Sequence, residues 1–179
     1  AAFVVSVLLF RFVPQQFFPS AERNQFVIDV WMPQGTRIEA TDQVMRRIEQ
    51  NLRARDEVAH VATFLGQSAP RFYYNVNPQL PDAAYGQIIV NTNTDKVVPE
   101  LVARLRDDLA RVAPEALVIV KELQQGMPME APVEIRISGY DVPILKQIGS
   151  QIEGILRDVP FTELVHTDYF NDSYFVNVD

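Results

Sequence analysis

An α+β fold built from two copies of one small unit is what this sequence predicts, and three observations predict it. Gly35, Ile38, Val44, Ile48, Glu49, Leu52, Arg53 and Val61 recur in the same spacing as Gly139, Val142, Ile148, Ile152, Glu153, Leu156, Arg157 and Val165. In each copy an alternating strand pattern ends at the glycine, a helical stripe follows, and a second strand pattern follows the helix. An apolar stub, Ala1-Ala-Phe-Val-Val-Ser-Val-Leu-Leu-Phe10, precedes both copies.

The stub falls short of the ~20 apolar residues that span a bilayer. Arg11, Phe12, Phe17 and Phe18 follow it, and basic and aromatic residues of this kind gather at a membrane interface. Residues 1–18 are therefore expected to be the end of a transmembrane helix. The alternative is a buried helix of a soluble domain.

From Gln25, Phe26, Ile28, Val30 and Met32 alternate with Val27, Asp29 and Trp31, the period of a strand. Pro33-Gln-Gly35 ends it. Thr36-Arg-Ile-Glu39 has capping-box spacing, and Ile38, Met45, Ile48 and Leu52 lie on one helical stripe. Strands are expected at Val58–Leu65 and Tyr85–Thr92, separated by a connection long enough to be functional. Thr94-Asp95 opens a second helix with Pro99 in its first turn, and Leu101, Val102, Leu105 and Leu109 form its buried stripe. Pro114 closes it, and Leu117–Leu123 reads as a fourth strand. The order βαββαβ over residues 25–124 is the ferredoxin-like split βαβ arrangement, with the helices on one face of the sheet.

Residues 125–132 read as a linker. The pattern restarts over 133–179 with Val133, Ile135 and Ile137 alternating, and Asp141 then caps a helix that carries Ile144, Leu145, Ile148, Ile152 and Leu156. Strands are expected at Phe161–Asp168 and Ser173–Asp179. This second module is an incomplete βαββ unit, so a fragment of a longer polypeptide is expected.

Composition narrows function by exclusion. Hydrophobic residues make up 47% and charged residues 22%, the globular range. The net charge of −7 gives no electrostatic case for nucleic acid. The absence of cysteine removes thiol-based metal and redox chemistry. No nucleophile elbow surrounds Ser6, Ser20, Ser68, Ser138, Ser150 or Ser173, and no glycine-rich phosphate loop is present. The expectation is a protein that is not an enzyme and holds no cofactor.

Phe17-Phe18-Pro19, Glu22 to Val30, Pro33-Gln-Gly-Thr36, Pro70-Arg-Phe-Tyr73, Gln87 to Asn91, Met129 to Gly139 and Phe175 to Asp179 occur in an order that resembles the periplasmic porter segment of resistance-nodulation-division (RND) efflux permeases. The resemblance covers essentially the whole chain. It is closer to the second half of such a permease than to the first, and to its hydrophobe/amphiphile (acriflavine-resistance-like) branch. It implies a homotrimeric, proton-driven antiporter of the inner membrane, with this segment facing the periplasm. It also implies an amphiphilic small-molecule substrate, as in multidrug resistance, and a periplasmic adaptor and outer-membrane channel as partners. The connection between the second and third strands occupies the place of the family's substrate-gating loop. It departs from the glycine- and phenylalanine-rich loop of well-known drug pumps, having Gly66-Gln-Ser-Ala-Pro-Arg-Phe72 instead.

The candidate substrate-binding residues are Phe64, Phe72, Tyr73, Tyr74 and Tyr85, whose rings suit amphiphiles but could equally fill the core between sheet and helices. Met127 and Met129 are soft donors that would suit a heavy-metal RND exporter, although methionines in a linker are more often apolar filling. His60 and His166 fall in corresponding second strands and read as satisfied strand histidines, not as a metal site. Glu22, Arg23 and Asp29 fit surface charges or pairs between subdomains equally well, while Glu49–Arg53 and Glu153–Arg157 fit solvated helix pairs. Apart from the resemblance, the pattern also fits a free-standing ferredoxin-like module that binds a small ligand or a protein.

Overall fold

The structure is a computed structural model that describes residues 21–126, 133–160, 162, 165–167 and 169. Its elements are β1 (Gln25–Trp31), α1 (Ile38–Arg53), β2 (Val58–Leu65), β3 (Tyr85–Thr92), α2 (Val98–Val112), β4 (Leu117–Glu122) and α3 (Val142–Arg157). The sheet order is β2-β3-β1-β4 with every neighbouring pair antiparallel. α1 and α2 therefore each carry the chain over a strand already in, or later added to, the centre of the sheet, and this produces the ferredoxin-like order.

Strand alternation decides which side chains meet the helices. Phe26, Ile28 and Val30 of β1, Ile88 and Val90 of β3, and Val118 and Val120 of β4 share one face and are buried. They pack against Val44, Met45, Ile48 and Leu52 of α1 and Leu101, Val102, Leu105 and Leu109 of α2. Both helices thus lie on one side, as the crossover lengths predict. Gly86 sits on this face opposite Val30 and Leu65. A Cβ there would lie 2.6 Å from Met45 Cε and 2.7 Å from its Sδ, so the glycine is what admits the methionine to the core. Ion pairs tie the helical layer at its rim: Arg55 to Asp108 at 2.8 Å and Arg104 to Glu57 at 2.6 Å.

The predicted capping box at Thr36 is not formed. Thr36 Oγ1 donates to the Pro33 carbonyl at 2.5 Å, and its own N–H bonds the same oxygen at 3.1 Å. Gly35, at φ 82°, allows that tight turn. The turn therefore takes the hydroxyl, the helix starts one residue later at an N-cap Arg37 without a side-chain bond, and Ile38 is left 41% exposed.

The repeat does hold at the helices. α3 runs over Val142–Arg157, the positions equivalent to those of α1, and Asp141 caps it by accepting from the Ile144 N–H at 3.1 Å. Asp141→Ala should remove this acceptor at a cost of about 1 kcal/mol. Amide exchange at Ile144 and Leu145 should then quicken about fivefold; unchanged exchange would show that the cap contributes nothing. Around α3, Val133–Gly139 forms no strand, and the expected stripe is not buried, with Ile144 at 52% and Ile148 at 37% exposure. A strand exists only through its partners. In the ferredoxin-like order a first strand pairs with a third, and the predicted third strand, Ser173–Asp179, lies outside the described residues. The same holds for residues 1–18, Met127, Met129 and half of Phe161–Asp168. Among the described residues no helix is long and apolar enough to cross a membrane.

Candidate functional site

Among the described residues no helix lies over the other face of the sheet, yet Val27, Asp29, Tyr85, Gln87 and Ile119 on that face are buried. The connection between β2 and β3 runs across this face, bonding Gln87 through the Ala69 N–H and reaching Gln124 at the end of β4. Gly66, at φ 71°, donates its N–H to the Tyr85 carbonyl at 2.9 Å, and Asp82 N–H bonds the Gly66 carbonyl at 3.0 Å, which closes the segment between them into a strap. Ser68 Oγ braces the strap internally by accepting from Gln79 N–H at 2.8 Å. The strap then crosses to the far end of β4. There Tyr73 Oη and Asn75 Nδ2 donate to the Gln124 carbonyl at 3.2 and 2.7 Å, and Tyr74 Oη accepts from Gly126 N–H at 2.9 Å. Gln124 and Gly126 begin the connection to α3, so the tip of the strap is tied to it.

Beneath the strap is a buried polar cluster centred on β1. Tyr85 Oη and Gln87 Nε2 both donate to Asp29 Oδ1, at 2.7 and 2.9 Å, and Lys121 Nζ stands 3.2 Å from Oδ2. Burial, then the Asp29 charge and its hydrogen bond, push the Tyr85 phenol well above its ordinary value. Trp31 lies against the Tyr85 ring with centroids 4.3 Å apart.

The five aromatic candidates therefore divide. Phe72 and Tyr73 are half-buried on the strap and Tyr74 is 54% exposed. The Tyr73 and Tyr74 rings stand 4.7 Å apart, and the Arg23 guanidinium lies 5.2 Å from the Tyr73 centroid. Burial, and then the Tyr74 hydroxyl, raise the Tyr73 phenol. Phe64, half-buried on β2, faces Gln87 in the ladder. Tyr85 is fully buried and forms the floor under the strap, not its outer surface. The tip thus offers rings, phenolic oxygens and two cations, Arg23 and Arg71, the latter donating to the Tyr74 carbonyl at 2.5 Å. A surface of this kind grips an apolar body by its π faces and a polar end by hydrogen bonds.

Asp29, open in the sequence between two surface roles, is in fact the buried centre of the face. Sequence reasoning also misses Gln87, Lys121 and Gln124. The available signal was the pair Asp29 and Gln87, polar residues on the non-helical face of two otherwise apolar central strands. A cavity of about 180 Å³ lies elsewhere, lined by Ala21, Glu22, Asp95, Lys96, Val98, Pro99 and Glu122. It contains none of the aromatic candidates and is smaller than the roughly 300 Å³ of a drug-sized pocket. His60 and His166 are exposed, and among the described residues no group of three or more His, Asp or Glu side chains could hold a metal.

No curated protein matches this sequence. Its fold is similar to the X-ray crystal structure of a heavy metal efflux pump, with a TM-score of 0.59 and 16% identity, over 89% of this chain and 17% of the pump. At that identity the likeness is one of fold, and this chain spans a small part of that pump's length. A match to the family model of the AcrB/AcrD/AcrF family runs over residues 1–179. That match covers every residue, and the chain accordingly belongs to the AcrB/AcrD/AcrF family of RND efflux permeases.

Proposed function

We propose that this chain is the periplasmic porter portion of a proton-driven RND permease, and that the outer surface of its strap forms part of the pathway for amphiphilic compounds. Its role is transport, not catalysis, in a trimer of the inner membrane that works with a periplasmic adaptor and an outer-membrane channel. The observation that carries the pathway reading is the strap itself. A connection that only joined two strands would not need three successive aromatic residues held over a sheet face by bonds at both ends. Phe72, Tyr73 and Tyr74 present them.

Heavy-metal export is the second reading, favoured by the fold likeness to a heavy metal efflux pump. Cells that depend on the full-length permease separate the two. With Tyr73→Ala and Tyr74→Ala combined, efflux of a fluorescent amphiphilic dye should fall about tenfold in kcat/KM, as expected for losing two aromatic contacts. Tolerance to copper and silver should stay unchanged. Unaltered dye efflux with lost metal tolerance would replace the amphiphile reading by the metal one.

A further inference from the structure

Gln87 is a central-strand glutamine with 2% exposure, flanked in the ladder by Asp29 on one side and Phe64 on the other. Both ends of its side-chain amide are used. Nε2 donates to Asp29 Oδ1 at 2.9 Å, and Oε1 accepts the N–H of Ala69, in the strap, at 2.9 Å. The Asp29 carboxylate determines which way round the amide sits, because only the NH₂ end can face an ionised carboxylate. The carbonyl end must then point outward, towards the strap. Donation to a charged acceptor also polarises the amide and makes Oε1 the better acceptor for Ala69.

The residues after Ala69 carry the constraint along the chain. Pro70 fixes its own φ and restricts Ala69 to extended conformations. Ala69 is 4% exposed, and only Pro70 and Arg71 separate it from Phe72. The direction in which the aromatic triad leaves the sheet is therefore set at the Ala69 amide.

We propose that Gln87 is a positioning residue for substrate, one that acts through Ala69 to set where the strap presents Phe72, Tyr73 and Tyr74. This rests on the strap being part of the substrate pathway, and it adds to that reading a buried residue that never touches the substrate. It assigns the affinity for an amphiphile partly to the sheet beneath the strap.

The test uses the full-length permease with Gln87→Met, Gln87→Glu and the Tyr73→Ala/Tyr74→Ala pair, read by amide exchange and by transport of the dye. Gln87→Met should lower the protection of the Ala69 amide about tenfold and raise KM for the dye several-fold, with kcat nearly unchanged. Gln87→Glu should resemble it only where the new carboxyl is ionised, at alkaline pH. Where that carboxyl is protonated its Ala69 protection should approach that of the parent protein, because a protonated carboxyl can donate to Asp29 and accept from Ala69 as the amide does. Burial and the Asp29 charge both favour that protonated form. Unchanged Ala69 protection in Gln87→Met, or protection in Gln87→Glu that matches Gln87→Met at every pH from 5 to 9, would overturn the clamp. Lost protection with unchanged KM would leave Gln87 structural only, provided the tyrosine pair still alters dye transport. If the tyrosine pair alters nothing either, the pathway reading fails, and the positioning role fails with it.

Discussion

Asp29→Ala is expected to destabilise the fold by about 3 kcal/mol, since hydrogen bonds to a charged group are worth roughly 1.5–3 kcal/mol and two buried donors would lose theirs. Those donors are Tyr85 Oη and Gln87 Nε2, on side chains of 0% and 2% exposure. Lys121 contributes less, because its side chain is 38% exposed and can rehydrate once its partner is gone. Asp29→Asn keeps an acceptor at the Oδ1 position and should lose only about 1 kcal/mol. Trp31 is the only tryptophan and lies against Tyr85, so its fluorescence follows this face during a urea titration. Equal midpoints for the alanine variant and the parent protein would mean the cluster adds no net stability.

The second large effect is alkaline unfolding governed by Tyr85. Its pKa in the folded state is raised, by burial first and by Asp29 second, above the ordinary phenol value of 10.0. The folded chain therefore keeps a proton that the unfolded chain releases above that value. The corresponding stability is fully present below pH 10 and is lost progressively as pH rises beyond it. The equilibrium should shift towards unfolding by up to about tenfold per pH unit, or about a hundredfold by pH 12. Tyr73 is shifted in the same direction and adds a smaller share. Tyr85→Phe has no proton to lose, so it should be less stable at neutral pH by about 1–2 kcal/mol but nearly flat between pH 10 and 12. A variant with the same alkaline slope as the parent protein would assign the effect to other tyrosines.

Both effects arise in a cluster that the sequence showed only in pieces. Val58–Leu65 and Tyr85–Thr92 were legible as strands because short apolar runs bounded by turn residues are local signals. The amphipathic stripes of α1 and α2 were legible for the same reason, and so was the Asp141 cap, whose donor lies three residues away. The Thr36 capping box failed because two local motifs compete for one hydroxyl, and the Pro33-Gln-Gly turn holds it. Tyr85 illustrates the limit for the candidate site. Its residue type suits a binding surface, yet its depth depends on a strap that folds back over it.

By itself, then, the sequence determined the order of elements over residues 25–124, the equivalence of α1 and α3, and the place of the aromatic connection. All of these depend on periodicity and short-range hydrogen bonding, in which the partners are near neighbours in the chain. Only the tertiary structure decided that the connection lies across the open face of the sheet and that Asp29 is buried at its centre. It also decided that Gln87 joins Asp29 to Ala69 and that the tip is held by Gln124 and Gly126. Those contacts pair residues 18 to 58 positions apart. Their energy exists only once the strands have registered, because a buried amide bonds whichever group the finished fold places beside it.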